Sequence, residues 1–141
     1  MRKLLVLCCL VPTLAFASDW AVVRKADHSW WLGKKPGQKE SVMKESTVFT
    51  QVDRESIVTD GQFRQVWWKE TGTSKDGYVL DLISLTTFDC KEHTWRDNRS
   101  GGRNSLNGSY EWEELDRKTY RIEPDGPWDH IYGAICLNKW K

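Results

Sequence analysis

Tyr78 to Cys90, YVLDLISLTTFDC, decides how the rest of this chain is arranged. At the two-residue period of a strand, Tyr78, Leu80, Leu82 and Phe88 fall on one side and Val79, Ile83 and Leu85 on the other. A segment apolar on both sides is a central strand. Beyond Ile83 it turns polar through Ser84, Thr86, Thr87 and Asp89, then ends in a cysteine.

That cysteine has one partner available. Met1 to Ala17 carries Arg2 and Lys3, an apolar run from Leu4 to Leu14, and Ala15-Phe16-Ala17 before Ser18, which is the pattern of a secretory signal peptide. Cys8 and Cys9 lie early in that run with Leu7, not a small residue, before them, so they read as part of the leader and not as a lipidation site. Removing the leader leaves Cys90 and Cys136, and an oxidising destination makes them a disulfide. No later stretch approaches the roughly 20 apolar residues of a spanning helix, so the mature chain is expected to be exported without a membrane span.

Residues 18 to 141 suit one domain. The 21 basic and 20 acidic residues, less Arg2 and Lys3, leave 19 against 20 and a formal charge of −1. So weak a field argues against nucleic acid or an anionic membrane as the main partner. The basic run Gly33 to Lys39, GKKPGQK, reads as a solvated loop.

Outward from the central strand, Trp20 to Lys25 and Ser29 to Leu32 look like short strands joined at Ala26-Asp27-His28. Thr47 to Val52 and Glu55 to Val58 read as extended. Asp60-Gly61 marks a hairpin into Gln62 to Glu70, and Asp76-Gly77 closes the next loop. After Cys90, Lys91 to Arg96 alternates and is expected to continue the strand past a bend. Asp97 to Ser109, DNRSGGRNSLNGS, has the composition of a mobile surface loop, and Tyr110 to Leu115 and Thr119 to Ile122 look like further strands.

The last segment changes period. Asp125-Gly126 precedes Pro127 at a first helical position, Asp129 complements the helix dipole, and Trp128, Tyr132, Ile135, Cys136 and Lys139 fall at helical spacing with Ile131 beside them. Lys139 and Lys141 suit its C-terminal end. The expected architecture is α+β: an antiparallel meander of about six strands with a C-terminal helix tied to the sheet by one disulfide.

Nine tryptophans are the most unusual feature of the composition. Trp30-Trp31 and Trp67-Trp68 are adjacent pairs, and neighbouring side chains on a strand point to opposite faces. A helix of about 14 residues, roughly 21 Å long, covers one face only. Either the sheet curls enough to bury every indole in two small cores, or some stay exposed as a contact surface; the second is the reading preferred here. Trp30, Trp31, Trp67 and Trp68 are therefore the candidate ligand contacts.

Catalytic patterns are weak. There is no HExxH or GxSxG, and of Asp89, Glu92 and His93 only Asp89 and His93 share a strand face, too few ligands for zinc. Neither a catalytic residue, a metal nor a cofactor is expected.

Asp53 to Ile57 (DRESI), Val66-Trp67-Trp68, Tyr78-Val79-Leu80 leading into Phe88-Asp89-Cys90-Lys91-Glu92, and Pro124 to Cys136 together resemble the surface-adhesin protein E family of Gram-negative bacteria. The resemblance spans Trp30 to Cys136. It implies an antiparallel sheet whose C-terminal helix is fixed by the same disulfide, binding to host matrix or plasma proteins, and a capacity to dimerise. Family members can be outer-membrane lipoproteins; without a lipidation cysteine, this chain is expected in the periplasm, at the surface or released. Binding residues do not transfer from the family. Two other classes fit the same features: a periplasmic inhibitor of a wall-degrading enzyme of lysozyme type, and a carbohydrate-binding module.

Overall fold

The computed structural model describes residues 18–32, 42–75, 77, 79–103, 108–113, 115 and 118–140, with the side chains of 28–32 and 42–45 outside that description. The expected leader, the Gly33 to Lys39 run, Asp76 and Tyr78 also lie outside it.

The strands are β1 (Trp20–Leu32), β2 (Val42–Asp53), β3 (Val58–Asp60), β4 (Phe63–Thr73), β5 (Val79–Asp89), β6 (Thr94–Arg103), β7 (Tyr110–Glu113) and β8 (Tyr120–Arg121), followed by helix α1 (Pro127–Leu137). They form one antiparallel sheet in the order β1-β2-β4-β5-β6-β7, with β3 added to β4 and β8 to β6. The path is a meander that curls into a half-barrel, and the disulfide joins Cys90 to Cys136 with Cα atoms 5.5 Å apart. The expected α+β fold is what the chain adopts, with β5 near its centre.

Several local readings change. β1 runs unbroken through Ala26-Asp27-His28, because Asp27 pairs with Thr47, whose hydroxyl donates to Asp27 Oδ1 at 2.8 Å. A polar residue with a cross-strand partner need not end a strand. The irregularity in β1 falls earlier, between Val22 and Arg24, where a bulge aims Val23 into the core at 3% exposure. Glu55 is not extended: Arg54–Ser56 is a 3-10 turn, capped by the Asp53 carboxylate accepting from the Glu55 N–H at 3.2 Å. The Ser56 hydroxyl then accepts from the Trp67 N–H at 2.9 Å, tying the turn to β4. Gly61 takes φ +55° in the β3–β4 hairpin, as that turn requires.

Nor does Lys91 to Arg96 continue β5. Asp89 Oδ1 accepts from the N–H groups of Lys91 and Glu92, each at 3.0 Å, and His93 reaches φ +55°, so the chain reverses and β6 returns along β5. Asp97 to Arg103 is therefore strand, where a mobile loop was expected. Its polar side chains match polar partners on β5: Ser100 meets Ser84 at 2.8 Å, Asn98 donates to Thr87 at 2.7 Å, and Thr86 donates to Asp97. Composition that reads as a loop is here a ladder of complementary hydroxyls, amide and carboxylate.

The helix is 11 residues, about 16 Å, shorter than expected. Gly126 is its N-cap with Pro127 behind it, and the Asp129 carboxylate accepts from the Asp125 N–H at 3.1 Å. Asn138 in the left-handed region ends it, so Lys139 stands beyond the last turn, with its N–H bonded to the Gly133 carbonyl at 2.9 Å. Ile131, Tyr132 and Ala134 are buried against Val23, Val52, Val66, Trp68 and Phe88. The Tyr132 hydroxyl donates to the Cys90 carbonyl at 2.9 Å, so a hydrogen bond backs up the disulfide at the same joint.

Candidate functional site

Register settles which way the second tryptophan pair points. Trp68, opposite Val52 and Ser84, faces the helix, is 1% exposed, and donates its indole N–H to Thr86 at 2.7 Å. Trp128 of α1 meets it edge-on at 5.8 Å and stacks on Trp95 at 4.3 Å, with Tyr120 stacked beyond at 5.0 Å. Trp140 packs against the same core, and the Arg54 guanidinium lies over its ring. On this side the indoles are structural.

Trp67 points the other way. β5 is 11 residues, about 37 Å long, more than twice the helix length, and the helix packs on the Trp68 side only. On the opposite face Trp67 is half-buried and meets Trp112 of β7 at 6.3 Å, edge to face. Tyr110 lies 5.4 Å from Trp112, the Arg99 guanidinium sits 3.9 Å over the Trp112 ring, and Lys69 sits 4.1 Å over Trp20. Trp112 is 46% exposed and Tyr110 40%. Trp30 and Trp31 are in β1, opposite Lys44 and Met43; their side chains lie outside the description. Of the four candidate contacts, then, Trp68 is core and Trp67 belongs to the uncovered face.

The residues that complete this face, Trp112, Tyr110, Arg99, Trp20 and Lys69, were not singled out in the sequence. The alternation Tyr110-x-Trp112 was the available signal, because it places both rings on one face. Gly101 was the other. It lies opposite Trp112, and a Cβ there would stand 2.6 Å from the ring and 2.8 Å from the Glu111 carbonyl. Gly101→Ala is expected to cost about 1–3 kcal/mol by overpacking and to move the Trp112 emission. Urea unfolding followed by fluorescence checks it, and an unchanged midpoint would contradict the packing.

Two hollows flank the aromatic centre. One, of about 1150 Å³, is bordered by Phe49, Lys69, Thr71, Val79 and Asp81; the other, about 530 Å³, by Val58, Phe63, Gln65, Thr87 and Arg96. Arg103 pairs with Asp81 at 3.3 Å between β6 and β5. Burial, reinforced by Asp81 and opposed by Arg103, raises the Tyr110 hydroxyl above its ordinary pKa.

The titratable groups near the turn and under the sheet have structural work. Backbone N–H donation from Glu92 outweighs the desolvation that opposes it, and with Gln62, the Lys91 N–H and the Lys91 charge it holds Asp89 below the usual carboxylate range. That carboxylate caps the turn; among the described residues there is no group of three or more His, Cys, Asp or Glu placed to hold a metal ion. Asp97 behaves oppositely: burial raises its pKa, donation from Thr86 opposes this, and the Glu113 charge adds to it. The folded chain keeps that proton to higher pH than the unfolded chain does. The linked stability is full below the ordinary value of about 3.9 and is lost as pH rises through the raised folded value. Asp97→Asn is expected to flatten this decline, measured as urea midpoints against pH; an unaltered slope would assign it elsewhere.

The fold and face together define a class: a disulfide-stapled α+β domain with a helix on one side of its sheet and an aromatic, cation-studded face on the other. Compared with family models, curated proteins and solved structures, the chain matches none. No described helix is long and apolar enough to cross a membrane.

Proposed function

We propose that this is an exported, non-enzymatic binding protein that engages a protein partner through the sheet face bearing Trp67, Tyr110, Trp112 and Arg99. The observation that carries the reading is the exposure of Trp112 on β7, at the edge of a sheet face that the helix leaves open. Trp, Tyr and Arg are the residues that dominate protein interface energetics. The resemblance to surface-adhesin E proteins supports a host matrix or plasma protein as the partner, and the Cys90–Cys136 bridge fits an oxidising compartment.

A glycan is served less well by the same residues. Sugar stacking needs an open ring face, and the Arg99 guanidinium already lies over Trp112. Inhibition of a wall-degrading enzyme is a special case of protein binding, and a turbidity assay with lysozyme separates it from adhesion. Trp112→Ala should weaken capture of the partner from immobilised matrix and plasma proteins by at least 2 kcal/mol, about 30-fold, with the thermal midpoint little changed. Equal capture by both proteins would remove the reading.

A further inference from the structure

β7 is an edge strand of unusual make-up. It pairs on one side with Ser100 to Arg103 of β6, no described strand pairs with its other side, and all four of its residues are exposed. An open strand edge offers backbone donors and acceptors to any extended chain that can lie along it. Its side chains sort by face. Tyr110 and Trp112 lie on the uncovered face with Arg99 and Arg103, whereas Glu111 and Glu113 lie on the helix face, where Glu113 acts on Asp97 across the β6–β7 ladder.

Charge decides which chain fits. If a second copy paired antiparallel with β7 about a two-fold axis normal to the sheet, like faces would meet, and the Glu111 and Glu113 carboxylates would oppose their own copies. Like charges directly opposite on paired strands are destabilising. A strand with basic side chains on the helix face and apolar ones over Tyr110 and Trp112 meets complementary chemistry on both sides.

We propose that β7 receives an extended segment of the partner protein as an added antiparallel strand, in keeping with the antiparallel pairing of β7 to β6, basic at alternate positions toward Glu111 and Glu113 and apolar between them. This rests on the reading that the Trp112 face is the contact surface, and it makes Trp112 the anchor of a sheet extension. Backbone bonds would supply affinity, and the alternation of charge and apolar surface would supply selectivity.

The test titrates the mature chain, followed by its tryptophan fluorescence, with a synthetic peptide alternating lysine and valine, with a glutamate–valine counterpart, and with two lysine–valine isomers N-methylated on alternate amides. The lysine peptide should bind at least about tenfold tighter than the glutamate peptide. Methylation of one alternate set should abolish binding while the other set is tolerated, since only one edge of an added strand faces β7. Glu113→Lys, which leaves Glu111 opposed by one ammonium, should level the charge preference, and Glu113→Gln should reduce it. If both methylated isomers bind like the parent, strand addition is wrong. If Trp112→Ala still removes binding in that case, the contact face stands without it; if Trp112→Ala and Glu113→Lys both bind every peptide as the unaltered chain does, both readings fall.

Discussion

Exchanging Cys136 for serine is expected to lower the unfolding free energy by roughly 4 kcal/mol, the chain-entropy value for a bridge across a separation of 46 residues. The bridge joins the turn after β5 to the last turn of the C-terminal helix, so its loss frees that end of α1 from the sheet. The Tyr132 to Cys90 hydrogen bond remains at that joint and offsets only a small part, about 1 kcal/mol. Urea unfolding of Cys136→Ser, with the Cys90→Ser/Cys136→Ser pair to exclude effects of a free thiol, measures it. A loss under about 1 kcal/mol would mean that packing of Ile131 and Tyr132 alone secures the helix.

Trp68→Ala should cost a similar amount, about 3–5 kcal/mol. Trp68 is the largest fully buried side chain among the described residues, it receives the edge contact of Trp128, and its N–H begins a chain of donations through the Thr86 hydroxyl to the Asp97 carboxylate. Trp68→Phe keeps most of the volume but leaves Thr86 without that donor, so it should recover more than half of the loss. Its neighbour gives the contrast: Trp67→Ala, on the open face, should cost less than half as much. Equal costs at the two positions would contradict the assignment of faces.

The pairing of adjacent indoles was legible without coordinates because strand geometry requires it; which of the two faces inward was not. That depends on the registers Trp68 to Val52 and Trp68 to Ser84, which are set by contacts far away in sequence. Tyr78 to Cys90 was read correctly as a central strand from its two-sided apolar pattern, over the described Val79–Asp89. Asp97 to Arg103 was misread for the converse reason. Asn, Ser and Gly signal a loop when no partner is known, but Ser84, Thr86 and Thr87 on β5 supply partners, and Gly101 gives Trp112 room to approach. The turn at Cys90 to His93 was missed because its cause is a side chain, Asp89, bonding forward to two backbone N–H groups. The candidate site was half legible: Trp67 was in hand, while Trp112, Tyr110 and Arg99 reach it only through the β5–β6–β7 register.

One comparison tests the contact face most directly. Trp112→Ala and Leu137→Ala remove apolar side chains of similar exposure, 46% and 49%, from the open sheet face and from the end of the helix. Against the captured partner, Trp112→Ala should weaken binding about 30-fold or more and Leu137→Ala by less than about threefold. A partner that releases Leu137→Ala and holds Trp112→Ala would place the contact on the helix side and contradict the account.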